Sequence, residues 1–97
     1  MDNEIHLFLG SACITKKSKS NYPIGERHAI LFYLRQPKDS DYNTIEAKKI
    51  IRESGLNKIE FTKAGKLDFT KVNIKNKEHY DNAIRHGSTI ILYTDPI

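Results

Sequence analysis

Four histidines (His6, His28, His79 and His86), one cysteine (Cys13) and the serine of Gly10-Ser11-Ala12 are the side chains here best suited to chemistry. A metal or acid-base centre needs two or more histidines to converge. His79 and His86 are too far apart to share an ion unaided: seven helical residues span about 10 Å at 1.5 Å per residue. His86 precedes Gly87, where a cation complements the negative end of a helix, so a structural role is expected for it. His6 and His28 fall near strand ends, where surface placement is expected; they would lie close if their strands pair. Cys13 has no histidine beside it, Ser11 is not in a nucleophile elbow, and neither G-x-x-x-x-G-K-[ST] nor G-x-G-x-x-G occurs. His86-Gly87-Ser88-Thr89 leaves a helix and enters a strand, the wrong order for an anion held at a helix N-terminus. The chain therefore reads as a non-enzyme, with no catalytic residue, metal ligand, cofactor or small-molecule substrate expected. An enzyme assembled from scattered residues is the minority alternative.

The elements that would carry such groups are those of one small domain spanning residues 1–97, since 97 residues cannot fill a second core. A lone cysteine makes no internal disulfide, so Cys13 is expected to be a buried thiol in a reducing compartment. No apolar run approaches the roughly 18 residues of a membrane span, and the start, Met1-Asp2-Asn3-Glu4, is acidic where a secretory signal is basic. A cytoplasmic protein without membrane contact is expected.

Ile5 to Ile14 alternates as a strand in which Gly10 permits a bulge. His28 to Gln36 holds the unbroken apolar run Ala29-Ile30-Leu31-Phe32-Tyr33-Leu34, the pattern of a central strand flanked on both sides. Pro37 stops it. Asn43-Thr44-Ile45-Glu46 can form a capping box, after which Ala47, Ile50, Ile51 and Ser54 share one helical face and Gly55 ends the helix. Ile59 and Phe61, then Leu67 and Phe69, alternate on either side of Ala64-Gly65, which predicts a hairpin. Asn76 is read as the cap of a second helix with Tyr80, Ala83 and Ile84 inward and Gly87 at its end. Thr89 to Tyr93 is the last strand. This order predicts an α+β two-layer sandwich: a ferredoxin-like, split βαβ sheet with an extra N-terminal strand and both helices on one face. Ile30, Phe32, Leu34, Ile50, Ile51, Phe61, Ile84 and Ile91 are expected to share one core.

The net charge of +4 is concentrated in two segments. Residues 15–27 hold Lys16, Lys17, Lys19 and Arg27 against Glu26 alone, and residues 58–77 hold six lysines against Glu60 and Asp68. Thr15 to Arg27 is too long for a simple hairpin turn and carries Tyr22 beside Pro23. Aromatic and arginine side chains dominate binding hot spots, whereas lysines at a rim mainly set association rate. Lys16, Lys17, Lys19, Tyr22 and Arg27 are therefore the expected partner-binding residues, with Tyr22 and Arg27 as anchors. An RNA or other nucleic-acid partner is the alternative, although the basic-Gly-aromatic signature of RNA-binding sheets is absent.

Ser54-Gly55-Leu56, then Ile59-Glu60-Phe61-Thr62-Lys63-Ala64-Gly65, then Ala83-Ile84-Arg85-His86-Gly87-Ser88-Thr89-Ile90-Ile91-Leu92-Tyr93 together resemble small bacterial immunity proteins. Those proteins accompany polymorphic or contact-dependent growth-inhibition toxins. The resemblance covers about half the chain. It implies direct binding to one cognate toxin domain, without catalysis or cofactor, and transfers no individual residue. Because this chain is basic where immunity proteins against nucleases are often acidic, an acidic toxin surface or a different toxin chemistry is expected.

Overall fold

The computed structural model describes residues 3–19, 21–67 and 74–97, with side chains from residue 77 onward in the last stretch. Six elements follow in order: β1 (Asn3–Ile14), β2 (Arg27–Pro37), α1 (Thr44–Glu53), β3 (Leu56–Leu67), α2 (Ile74–His86) and β4 (Ser88–Pro96). The strands form one sheet in the order β3-β1-β2-β4, each neighbouring pair antiparallel. The first two strands pair along their whole length, from Asn3 opposite Pro37 to Cys13 opposite Arg27.

The apolar run of β2 explains the layers. Alternate side chains of a strand point to opposite faces. Ile30, Phe32 and Leu34 join Phe8, Ala12, Ile14, Leu56 and the helical Ala47 and Ile51 in one core. Tyr33, with Leu31 beside it, joins Ile5, Tyr80 and Ala83 in a second. The first core lies under α1 and the second under α2, so the helices cover opposite faces. The expected two-layer sandwich with both helices on one face is thus corrected to helix, sheet, helix. The expected single core divides likewise, with Ile50, Ile51 and Phe61 on the α1 side and Ile84 and Ile91 on the α2 side. An amphipathic stripe fixes which side of a helix is inward, but not which face of the sheet receives it.

The ferredoxin-like plan fails at the expected hairpin. β3 runs through Ala64 and Gly65 without turning, placing them opposite Phe8 and Leu7 of β1. A two-residue hairpin turn of the favoured types needs positive φ, and Gly65 does not adopt it; the long β1 ladder offers these residues extended partners instead. Phe69 lies outside the described residues. The segment β2-α1-β3 does retain one split βαβ, because β2 and β3 are parallel with β1 between them. The connection β3-α2-β4 instead joins the two edges of the sheet.

Local chemistry sets the element ends. The Asn43 side chain accepts the Glu46 N–H at 3.0 Å, the expected N-cap. α2 starts at Ile74, so Asn76 lies within the helix and is not its cap. Gly55 and Gly87 follow the two helices at φ 96 and 94, and Arg35 Nη1 donates to the Ile84 carbonyl at 2.6 Å near the end of α2. Among the described residues no helix is long and apolar enough to cross a membrane.

Candidate binding site at the loop end of the sheet

Where β1 ends, the chain enters the loop to β2 and is fixed at once to the junction between α1 and β3. The Thr15 N–H and its Oγ1 both donate to the Gly55 carbonyl, at 3.1 and 2.6 Å. Thr15 Oγ1 accepts the Lys17 N–H at 3.2 Å, and the Thr15 carbonyl accepts that of Ser18 at 3.1 Å. On the return, the Gly25 N–H donates to the Ile14 carbonyl at 2.8 Å, and the Ile14 N–H to that of Glu26 at 2.9 Å. The loop is thus seated on the fold rather than hung from it, and Lys16, Lys17 and Lys19 are presented, exposed, from a fixed backbone.

The two expected anchors have internal partners. Tyr22 is half-buried against the α1-side core and stacks on His28, with ring centroids 4.3 Å apart at 26°. Arg27 Nη1 donates to Ser11 Oγ at 2.7 Å and lies 3.9 Å from Glu60 Oε2. Of the five expected binding residues, the structure therefore groups the three lysines at the surface and ties Tyr22 and Arg27 into the sheet.

The lysines border a continuous run of clefts. One lies between Lys17, Lys19, Glu53, Leu56, Ile90 and Leu92, with an apolar floor and a mainly basic rim. The next passes Lys16, Lys17, Arg52, Leu56 and Asn57. A third continues past Ile14, Lys16, Ile24, Asn57 and Lys58. Ile24, Arg52 and Lys58 line these clefts beside the expected lysines, although their residue types alone did not point to them. Ile24 is 64% exposed beside Pro23, and an apolar side chain at the tip of a polar loop was the signal for it. Lys58 holds φ 48, a left-handed backbone uncommon in residues other than glycine and asparagine.

The histidines prove more structural than expected. His6 and His28 are fully buried, against the expected surface placement. Pairing of β1 with β2 does not bring them together: His6 stands opposite Leu34 and His28 opposite Ala12, at the two ends of the hairpin. Each has a glutamate two residues earlier. His28 Nε2 lies 2.7 Å from Glu26 Oε1, and Nδ1 lies 2.8 Å from the Tyr93 carbonyl oxygen, so the imidazole fastens the loop end to β4. His6 Nε2 lies 2.5 Å from Glu4 Oε2, while its buried Nδ1 meets no partner among the described residues. Glu4 also accepts the Asp39 N–H at 3.0 Å and meets Lys66 Nζ at 3.3 Å. The Asp39 N–H first, then His6 and Lys66, hold the Glu4 carboxyl down at about 2.

Cys13 is buried, as expected. Its neighbour Ala12 pairs with His28, so Cys13 and His28 point to opposite faces and form no nucleophile-base pair. Among the described residues no three metal-capable side chains cluster. In comparisons with known proteins the chain matches no family model, no curated protein and no solved structure.

Proposed function

We propose that this chain is a non-catalytic protein-binding module, an immunity protein that neutralises a cognate bacterial toxin by direct binding through the loop end of its sheet. The observation that supports this reading best is the cleft with Leu56, Ile90 and Leu92 inside and Lys17 and Lys19 at its edge. An apolar centre within a polar rim is the anatomy of a protein interface. The basic rim suits an acidic toxin surface, and a loop already seated on Gly55 loses little freedom when the partner docks.

A nucleic-acid partner is the second reading, favoured by the gathering of Lys16, Lys17, Lys19, Arg52 and Lys58 at one end of the molecule. Both sheet faces carry a helix, however, and Tyr22 is already stacked on His28. The open face on which RNA-binding sheets stack bases is occupied.

If an adjacent reading frame encodes a toxin-like protein, co-expression with it tests the first reading. Growth should be restored, and Lys16, Lys17 and Lys19 changed together to Gln should slow association with that protein and weaken its salt dependence. Growth arrest despite co-expression, together with binding to a mixed-sequence RNA whose affinity falls steeply with salt, would transfer the function to the second reading.

A further inference from the structure

The two outer strands of the sheet differ in what their open edges carry. β3 bears Lys58, Glu60, Lys63 and Lys66, and its ladder to β1 shifts register twice. Charges and bulges of this kind deter edge-to-edge pairing. β4 has neither along most of its length. Ser88-Thr89-Ile90-Ile91-Leu92-Tyr93-Thr94 contains no charged residue and no proline, and from Ser88 to Leu92 its pairing with β2 is regular.

The backbone groups that face outward follow from the antiparallel alternation. The Arg35 N–H donates to the Gly87 carbonyl at 2.8 Å. Tyr33 opposite Thr89 and Leu31 opposite Ile91 fall on the same alternation. Gly87, Thr89 and Ile91 therefore turn their N–H and C=O groups toward β2, and Ser88, Ile90 and Leu92 turn theirs away. Among the described residues no strand pairs with that outer side. The side chains tell the same story: Ile90 and Leu92 border the α1-side core and Ile91 the α2-side core, and all three are only half-buried.

We propose that β4 is a self-docking edge, on which two copies of this chain pair β4 with β4 antiparallel about a two-fold axis through Ile91. The register is self-complementary. With Ile91 opposite Ile91 of the second copy, Ile90 meets its Leu92 and Thr89 meets its Tyr93. The outward-facing Ile90 and Leu92 then exchange backbone hydrogen bonds, as an isologous contact requires. Opposed residues share a face, so both apolar cores continue across the seam. Although the chain carries +4 overall, no like charges oppose one another within this segment. The same pairing at β3 would bring lysines together. The proposal concerns the chain alone, although Ile90 and Leu92 also line the cleft assigned to the toxin, so a second copy and the toxin would meet on the same strand.

Sedimentation equilibrium of the purified chain over a micromolar to millimolar series tests it. The wild type should shift from monomer to dimer with concentration. T89K/Y93K sets lysine opposite lysine twice across the seam and should stay monomeric. T89E/Y93K sets glutamate opposite lysine and should recover the dimer. Within one chain these positions are four strand residues apart, so the two variants differ in the intermolecular pairing and in net charge, +6 against +4. A wild type that stays monomeric throughout would overturn the proposal, as would a dimer that T89K/Y93K leaves intact. Amide exchange of the wild type gives a reading that does not depend on the variants folding. The Ser88, Ile90 and Leu92 amides should gain protection with concentration, and concentration-independent exchange would also refute self-docking. Protection of those amides only on adding a different protein would put that protein's strand on the edge instead, and would overturn self-docking too.

Discussion

Gly55→Ala should destabilise the chain more than Gly25→Ala, although both glycines hold left-handed backbone, at φ 96 and 87. The shared cost is the strain of an L side chain there, about 1 to 2 kcal/mol. At Gly25 nothing else is met, since a Cβ would find no atom within 4 Å. At Gly55 it would lie 2.4 Å from the Ser18 nitrogen and 2.5 Å from the Lys17 carbonyl carbon, backbone atoms that cannot rotate aside. The loop must lift, loosening the two Thr15 bonds to the Gly55 carbonyl, each worth about 1 kcal/mol. Gly25→Ala should thus cost about 1 to 2 kcal/mol and Gly55→Ala about 3 to 4 kcal/mol. Urea unfolding followed by circular dichroism reads both, with the midpoint moving at constant slope. Equal costs at the two positions would mean that the loop does not rest on Gly55, and the fixed presentation of the lysines would fall with it.

Glu4 gives a pH signature. Its folded carboxyl lies at about 2 against an ordinary 4.5, so the stability it contributes is complete above 4.5 and is lost as the pH falls toward 2. Glu4→Gln should be less stable than the parent at neutral pH, and the gap should close across that window in acid unfolding titrations; a gap of constant size would rule out the carboxylate as its source. His28→Ala should cost about 2 to 4 kcal/mol by stranding the Glu26 carboxylate and the Tyr93 carbonyl, whereas His86→Ala, at an exposed position, should stay within about 0.5 kcal/mol. Thermal unfolding of the pair checks this, and similar midpoints would show that the His28 contacts carry no net stability.

Much of the fold was legible wherever a residue type has a single backbone consequence. Asn43, Gly55 and Gly87 marked helix ends, and the unbroken Ala29 to Leu34 run marked a strand covered on both sides. Gly10 was read as a place for a bulge, and the β1–β3 ladder does shift between Leu9 and Gly10, where a Cβ would lie 1.9 Å from the Glu60 carbonyl oxygen. Legibility ended where the deciding partner is remote in sequence. Ala64-Gly65 has the composition of a turn, and only its pairing with Leu7 and Phe8 keeps it extended. His6 and His28 alternate with apolar residues as surface groups do, and become interior residues because Glu4, Glu26 and the Tyr93 carbonyl supply oxygens for three of their four ring nitrogens. The lysine cluster was visible as charge, but its companions Arg52 and Lys58 were not, because the fold alone carries the end of α1 and the start of β3 to the loop.

The position of the earliest strands has a consequence for synthesis. β1 and β2 form the middle of the sheet and are joined by a local hairpin, so a chain emerging from the ribosome makes its centre first and gains its margins in turn, β3 beside β1 and β4 beside β2. α1 is available to seal one face as soon as β3 emerges. The other face, with Ile5, Leu7, Leu31 and Tyr33, waits for α2, which begins only at Ile74. Until α2 has joined, the sheet is a half-clad intermediate whose bare side is the natural target of a chaperone.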